Sequence, residues 1–263
     1  MSNNYLPTDY QAFIHTSRYA RWLEKENRRE TWPETVCRYM DNVVKPIVIM
    51  KSEFKKIEDM ILNLSVMPSM RAMMTAGPAL NRDHTAGYNC SYLPVDDPKA
   101  FDEAMYILLC GTGVGFSVER QYIQNLPEVP ELSDSETTVV VKDSKEGWAK
   151  GLRQVLALLW AGEIPKWDVS QIRPSGARLK TFGGRASGPA PLIDLFNFAV
   201  NTFKAASNRR LSSLECHDLM CYIGQIVVVG GVRRSAMISL SNLSDGRMRH
   251  AKSGNWWETA GHR

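Results

Sequence analysis

One cysteine of this sequence stands in a setting that differs from those of the others. Cys90 lies in the segment AGYNCSYLPV, where a short strand is predicted and where its neighbours Asn89 and Ser91 are polar. A thiol in a polar strand is a better redox candidate than one packed into an apolar helix. The sequence therefore identifies Cys90 as the candidate redox cysteine.

The remaining cysteines are weaker candidates for a redox or metal-binding role. Cys37 and Cys110 lie in apolar helical patterns, where cysteine behaves as a small hydrophobic residue. Cys216 and Cys221 are five residues apart, so a helix points them in different directions and does not favour a disulfide between them. The cysteines lack the paired short spacings of a zinc site, and His217 has no matching ligands, so we expect no metal site.

Two glycine-rich segments place arginine beside backbone N–H groups, a combination that binds phosphate. Their residues of interest are Gly183, Gly184, Arg185 and Ser187 in the first, and Gly230, Gly231 and Arg233 in the second. Either segment taken alone is equally typical of a tight turn with solvated arginines. A third segment, GTGVG at 111–115, follows a helix and precedes a strand, the reverse of the dinucleotide-binding order, so it predicts a close turn.

The elements that must position these residues fall into two regions. Residues 1–64 predict a helical region divided at Pro33 and Pro46, with a capping box from Thr31 to Glu34. From residue 65 to 263, short apolar or glycine-bearing segments alternate with helices, which predicts an α/β or mixed barrel fold.

Within the second region the patterns predict individual elements. We expect a helix over AFDEAMYILL that begins at Asp97, and a helix over GWAKGLRQVLALLWAG that begins with a capping box at Asp143 and Glu146. Two further helices are expected over LIDLFNFAVNTFKAA and SSLECHDLMCYIG. Strands are expected at TVVVK and IVVVGG. The segment NLPEVPELSDSET and residues 165–191 predict loops, and NWWETAGHR is expected to end without a turn or capped helix.

Composition excludes several classes of protein. The chain has 263 residues, 44% of them hydrophobic and 23% charged, which is not typical of a disordered, collagenous or disulfide-scaffold protein. Its net charge of +4 suits phosphate-bearing ligands but is too small for a nucleic-acid-coating surface. No apolar run approaches the roughly 20 residues of a membrane helix, and the segment MSNNYLPTDY lacks the basic and apolar regions of a signal peptide. We expect a cytoplasmic protein with reduced thiols.

Several segments, in order along the chain, resemble one family. The strings are MPSMRAMMTAGPAL, AGYNC, PVDDPKAFDEAMYILLCGTGVGFSVER, DSKEGW, IPKWDVSQIRPSGARLKTFGGRASGP and VVVGGVRRSAMISLSN. Together they are similar to the adenosylcobalamin-dependent, class II ribonucleoside-triphosphate reductases of the monomeric type. The resemblance runs from about residue 10 to residue 257, and it rests on the ordered combination of motifs.

The resemblance implies a fold and a chemistry. The family reduces ribonucleotides by thiyl-radical chemistry inside a ten-stranded α/β barrel, and two cysteines supply the electrons by forming a disulfide. Cys90 matches the first of these cysteines, and Ser69 and Asn89 match positions that line the ribose. The segment at Gly183 to Pro189 resembles the first specificity loop.

The second glycine-rich segment resembles the loop that relays effector identity to the substrate. Gly230, Gly231 and Arg233 are therefore expected to bind substrate. Asp96, Asp97, Gly183, Gly184, Arg185 and Ser187 are expected to bind a deoxynucleoside triphosphate effector. The resemblance also implies adenosylcobalamin as cofactor, a ribonucleoside triphosphate substrate and a thioredoxin-type reductant.

The sequence also departs from the family pattern. The Asn-x-Cys-x-Glu motif that carries the radical cysteine is missing, as are the second reducing cysteine and the C-terminal tail thiols. We therefore expect residues 65–263 to form the first half of the barrel, inactive alone and completed by a C-terminal half.

Two other functions are compatible with parts of the sequence. A non-catalytic deoxynucleotide sensor would use the glycine and arginine segments but would not need a thiol at Cys90. A nucleic-acid-binding protein would use Arg209, Arg210, Arg233 and Arg234 and the aromatic pair at 256–257, with binding that falls steeply with salt. The dispersed basic residues disfavour this second alternative, and we expect neither nucleic-acid nor membrane binding.

Overall fold

The computed structural model describes residues 5–177, 185–227 and 236–263. The chain divides into two compact units that meet in sequence between Asn89 and Cys90. Each unit has its own hydrophobic core. The boundary between residues 64 and 65 that we drew from the sequence stays a prediction. None of the helices in the described ranges is long and apolar enough to cross a membrane.

The first unit is mostly helical. Its elements are α1 (Asp9–Ile14), a π-helical turn (His15–Tyr19), β1 (Trp22–Leu23), β2 (Arg28–Arg29), α2 (Trp32–Tyr39), a second π-helical turn (Met40–Val44), α3 (Lys51–Leu62), α4 (Met70–Thr75), α5 (Pro78–Arg82) and a 3₁₀ helix (His84–Gly87). β1 and β2 pair antiparallel. The predicted capping box begins α2, where the Thr31 N–H donates to the Glu34 carboxylate at 2.7 Å.

A buried ion pair joins separate parts of the first unit. Arg38 Nε and Nη2 donate to the two carboxylate oxygens of Glu30 at 2.7 and 2.8 Å, and Nη1 donates to the carbonyl oxygens of Met73 and Ala76. The Arg38 and Glu30 side chains are 12% and 5% exposed. Burial opposes ionisation of Glu30, but hydrogen bonds, led by those from Arg38, outweigh it and hold its pKa below the ordinary value.

The second unit alternates strands and helices. Its elements are β3 (Cys90–Pro94), α6 (Lys99–Leu109), β4 (Gly113–Ser117), α7 (Arg120–Ile123), β5 (Ser133–Val140), α8 (Lys145–Trp160), β6 (Glu163–Asp168), α9 (Ala190–Ala205), α10 (Ser213–Val227), β7 (Met237–Leu240), α11 (Gly246–Arg249) and α12 (Trp256–Ala260). This alternation confirms the predicted α/β class.

Parallel pairing organises both sheets of the second unit. β4 lies between β3 and β7, and it is parallel to both. β5 and β6 form a separate parallel pair, connected through α8. Parallel neighbours require a crossover connection, and helices α6 and α8 supply it. Among the described residues, these strands form separate sheets and do not close into a barrel.

One hydrophobic core supports the sheets and the long helices. α6 packs against α8 and α10, and α9 packs against both α8 and α10. The largest buried side chains there are Phe101, Met105, Phe116, Phe196 and Phe203. Each contributes about 1.5–3 kcal/mol by leaving water. Helices α6 and α8 are also joined by Arg153, whose Nε and Nη2 lie 2.8 and 2.7 Å from Asp102 Oδ2.

Several predicted boundaries in the second unit are wrong. Helix α8 is capped by Ser144, whose hydroxyl accepts the Gly147 N–H at 2.9 Å, rather than by Asp143. Asp143 is instead paired with Arg173 at 2.6 Å. β5 begins at Ser133, inside a predicted loop, because its backbone pairs with β6. β6 likewise occupies the start of the predicted loop at 165–191.

Two further elements differ near the end of the chain. Helix α10 continues through Ile226 and Val227, where the strand IVVVGG was expected, because both side chains are buried in the core of the second unit. The remainder of that expected strand, from residue 228, lies outside the described residues. The segment NWWETAGHR contains helix α12, which buries Ala260 rather than ending without a helix.

Removal of the buried arginine tests the ion pair of the first unit. We expect Arg38→Ala to lower the free energy of unfolding by about 3–5 kcal/mol, because Glu30 is left as a buried, unpaired charge. The matched control is Lys55→Ala, which removes an exposed pair with Glu58 and should cost at most about 1 kcal/mol. Urea unfolding of the chain measures both, and equal losses would contradict the assigned role of Arg38.

Acid should weaken the first unit through its paired carboxylates. Hydrogen bonds, led by that from Arg28, lower the pKa of Glu34 from 4.5 to about 2, and the pKa of Glu30 is also lowered. Because both folded-state values lie below the unfolded ones, this stabilisation is present above about pH 4.5 and is lost as the pH falls towards 2. Glu34→Gln should reduce the acid dependence of the unfolding midpoint, whereas Glu24→Gln, at an exposed turn residue, should not.

Candidate functional site

Cys90 is the first residue of β3 and is exposed in the second unit. The strand predicted around it is therefore confirmed. Cys90 pairs with Gly113 of the central strand β4. An exposed thiol at a strand end is accessible both to a small substrate and to a second thiol, as disulfide exchange requires.

One face of the three-stranded sheet is open around Cys90. Successive residues of a strand point to opposite faces, so paired residues share a face. The residues on the Cys90 face are Cys90, Tyr92, Pro94, Gly113, Gly115, Ser117, Ile238 and Leu240. Tyr92 is 53% exposed and Ile238 is 68% exposed. The residues of the opposite face that the core buries are Leu93, Val114 and Phe116.

Tyr92 is held across this open face. Its ring carbon Cδ2 lies 3.7 Å from the position that a side-chain carbon on Gly115 would take. Ser117 Oγ donates to Glu119 Oε2 at 2.9 Å. Partial removal from water, followed by the interaction with Tyr122, raises the pKa of Tyr92. The tyrosine is thus protonated at neutral pH.

The predicted effector residues Asp96 and Asp97 lie before helix α6. Asp97 Oδ1 accepts the Lys99 N–H at 2.8 Å, and the N-cap residue of α6 is Pro98 rather than Asp97. Asp97 is exposed and Asp96 is half-buried. The assignment of these carboxylates to an effector stays a prediction.

Two residues of the first glycine-rich segment are also described. Arg185 is exposed, and its Nη1 donates to the Gly176 carbonyl oxygen at 2.9 Å. Ser187 Oγ donates to the carbonyl oxygen of Gly188 at 3.1 Å. Among the described residues, no hydrogen bond joins Arg185 or Ser187 to the start of α6.

The remaining predicted site residues fall elsewhere. Ser69 precedes helix α4, Asn89 ends the first unit, and both are exposed. Their proposed contact with the ribose stays a prediction. The predicted residues that lie outside the described ranges are Gly183, Gly184, Gly230, Gly231 and Arg233.

The structure adds one lysine–cysteine contact that the sequence did not indicate. Lys145 Nζ donates to Cys110 Sγ at 3.1 Å and lies 5.3 Å from the centre of the Tyr106 ring. Cys110 is 2% exposed, as expected for a core cysteine. The contact joins the end of α6 to the start of α8, and no local signal connects residues so far apart in sequence.

A second polar cluster surrounds His217 on helix α10. His217 Nε2 lies 3.5 Å from Cys221 Sγ, and its Nδ1 lies 3.1 Å from Asp218 Oδ1. Arg263 donates to both carboxylate oxygens of Asp218 at 2.8 and 2.7 Å. Burial, together with the Asp218 charge, raises the pKa of Cys221 to about 11, so the thiol is protonated and a poor nucleophile.

No group of three or more His, Cys, Asp or Glu side chains within the described residues could hold a metal ion. Cys216, five residues before Cys221, is fully buried, and burial raises the pKa of its thiol. Cys37 is exposed like Cys90, but burial and the Asp41 carboxylate raise its pKa. Cys90, on its open sheet face, is therefore the thiol best placed for exchange chemistry.

Comparison with known proteins gives one family match and several relatives. Residues 117–203 match the family model described as B12-dependent ribonucleotide reductase, insertion domain. This range contains β5, α8, β6 and most of α9. It therefore covers the separate β5–β6 pair and the helices packed beside it.

The relatives have the same printed name, adenosylcobalamin-dependent ribonucleoside-triphosphate reductase. The protein from Lactobacillus acidophilus is 27% identical, with 86% of this chain and 40% of the relative covered. The protein from Lacticaseibacillus paracasei is 28% identical with the same coverage. The chain thus spans about two fifths of the length of the curated relatives that it matches.

A solved structure shows the same fold. It is titled a crystal structure of B-12 dependent (class II) ribonucleotide reductase, and it superposes with a TM-score of 0.78 at 23% identity. The match covers 93% of this chain and 43% of that one. In sequence and in fold, the chain is similar to the N-terminal part of the class II, B12-dependent ribonucleotide reductases.

Proposed function

We propose that the chain forms the N-terminal part of a ribonucleotide reductase that converts ribonucleoside triphosphates into 2'-deoxyribonucleoside triphosphates. The observation that carries the proposal is the exposed thiol of Cys90 on the open face of a parallel sheet. The names and the fold of the relatives support the same reaction. The rest of the reductase, in the same polypeptide or in a partner, supplies the radical cysteine.

Cys90 acts in this reaction as one of two reducing thiols. The two thiols give up two electrons and two protons and become a disulfide, while the 2'-hydroxyl leaves the sugar as water and a hydrogen takes its place. A thioredoxin-type dithiol then reduces the disulfide by exchange. The open position of Cys90 at the start of β3 suits both steps, because the substrate and the second thiol must reach the same sulfur atom.

The complete reductase is proposed to use adenosylcobalamin, which supplies the radical that begins the reaction. The relatives are named as dependent on this cofactor. The described residues contain no cluster of metal-ligating side chains. We therefore assign no residue of this chain to the cobalt, and the roles proposed for Cys90 and its neighbours do not depend on such a contact.

The effector and substrate residues named from the sequence complete the proposal. Asp96, Asp97, Arg185 and Ser187, with Gly183 and Gly184, are proposed to bind a deoxynucleoside triphosphate. Gly230, Gly231 and Arg233, with Ser69 and Asn89, are proposed to contact the substrate. The exposed Arg185 and the helix that begins after Asp97 support the first assignment, because guanidinium groups and helix N-termini both attract phosphate. The site of action is proposed to be the cytoplasm.

Serine substitution at Cys90 tests the reductase function. With the C-terminal part present, we expect wild-type chain to reduce a ribonucleoside triphosphate in the presence of adenosylcobalamin and a dithiol. Cys90→Ser should lower sustained turnover to the background rate, because serine cannot form the disulfide. Cys37→Ser, at another exposed cysteine, is the matched control and should retain full turnover.

The outcomes separate the reductase from a deoxynucleotide sensor. Full turnover by Cys90→Ser would contradict the role of this thiol. Binding of deoxynucleotides without turnover by the wild-type protein would instead favour the sensor.

Alanine substitution at Arg185 tests the effector assignment. We expect Arg185→Ala to weaken binding of a deoxynucleoside triphosphate about tenfold, the value of one charge-assisted hydrogen bond. Arg249→Ala, at an exposed arginine of α11, should leave the affinity unchanged. Equilibrium dialysis measures both, and equal affinities for the two variants would contradict the assignment.

A further inference from the structure

The open sheet face contains a recess whose floor has no side chains. Gly113 and Gly115 lie on the central strand β4, flanked by Cys90 and Tyr92 on β3 and by Ile238 on β7. Neighbouring strands lie about 4.8 Å apart, so the flanking backbones are about 10 Å apart. We call this feature the glycine recess. Cys90 and Tyr92, both on β3, form one side of this recess.

The fold itself gives no reason for glycine at residue 115. A side-chain carbon there would meet the Ser91 carbonyl oxygen at 3.6 Å and the Tyr92 ring at 3.7 Å, which are ordinary contact distances. Gly115 is not among the glycines with positive φ. A glycine inside a strand weakens the strand, and it often marks a place where a ligand approaches the backbone closely. Gly115 therefore points to a ligand above the floor of the recess.

Tyr92 is suited to orient such a ligand. Its ring lies beside Gly115, with Cδ2 3.7 Å from the position that a side-chain carbon on Gly115 would take, and 53% of the residue remains exposed. Residues two apart on one face of a strand are separated by about 6.6 Å. A group that reacts with the Cys90 thiol therefore lies within reach of the Tyr92 ring.

We propose that Tyr92 is a positioning residue whose ring holds the ribose of the substrate over Gly115, with its 2' edge towards Cys90. This inference rests on the proposed reductase function and adds a role for two residues of this chain. The apolar C–H face of a sugar packs on an aromatic ring, while its hydroxyl groups stay turned to polar partners. Orientation of this kind lowers the barrier by holding the reacting carbon at the sulfur atom.

Two substitutions and two controls test the proposal in the complete reductase. Gly115→Ala adds one methyl group to the floor of the recess and should raise KM for the ribonucleotide about tenfold. One extra methylene in a binding pocket changes the specificity of an enzyme by a factor of this order. Tyr92→Leu should lower kcat/KM by a similar factor, about tenfold. Tyr92→Phe keeps the ring and should restore most of the activity. Gly246→Ala, where an added carbon meets nothing within 4 Å, should behave as wild type.

Thermal unfolding of each variant accompanies the kinetics. The proposal requires that Gly115→Ala and Tyr92→Leu change KM or kcat/KM while their unfolding temperatures stay close to that of Gly246→Ala. If wild type reduces ribonucleotides but both variants match Gly246→Ala in kinetics, the positioning role is overturned and the reductase function stands. If both lose activity only in proportion to lost folded protein, Tyr92 and Gly115 are structural and the proposal fails. A wild-type protein without activity overturns the reductase function itself.

Discussion

The pairing register of β4 with its two neighbours is the constraint on which the candidate site depends. A shift of one residue would turn the Cys90 face of a strand into the core and bring buried residues such as Leu93 to the surface. The apolar residues Val114 and Phe116 make such a shift costly, because they fill the core beneath the sheet. The position of the thiol is thus fixed by side chains on the other face, which take no part in chemistry.

Much of this arrangement could be predicted from the sequence. The long helices α8 and α9 carry apolar stripes over four turns, a signal strong enough to identify them without tertiary information. The capping box at Thr31 depends only on residues close in sequence, and it is confirmed. The short strand at Cys90, with its polar neighbours Asn89 and Ser91, was also predicted and is confirmed.

The features that could not be predicted depend on contacts between distant residues. The β-branched run that begins at Ile226 favours a strand locally. Ile226 and Val227 nevertheless belong to α10, because both are buried in the core. Asp143 looks like a helix cap, yet its carboxylate pairs with Arg173, thirty residues later, and Ser144 caps the helix. The open face around Tyr92 depends on the register with β4, which no local pattern reveals. The sequence therefore indicated Cys90 as a candidate, but it did not indicate Tyr92 and Ile238 on the same face.

The distribution of thiols has a practical consequence for spectroscopy. Cys37 and Cys90 are exposed, one in each compact unit. The cysteines that resist modification, through burial or a raised pKa, are Cys110, Cys216 and Cys221. Burial and the Asp41 carboxylate raise the pKa of Cys37, so its alkylation accelerates as the pH rises. A thiol-directed fluorophore or spin label would therefore give each unit its own reporter without the introduction of a new cysteine.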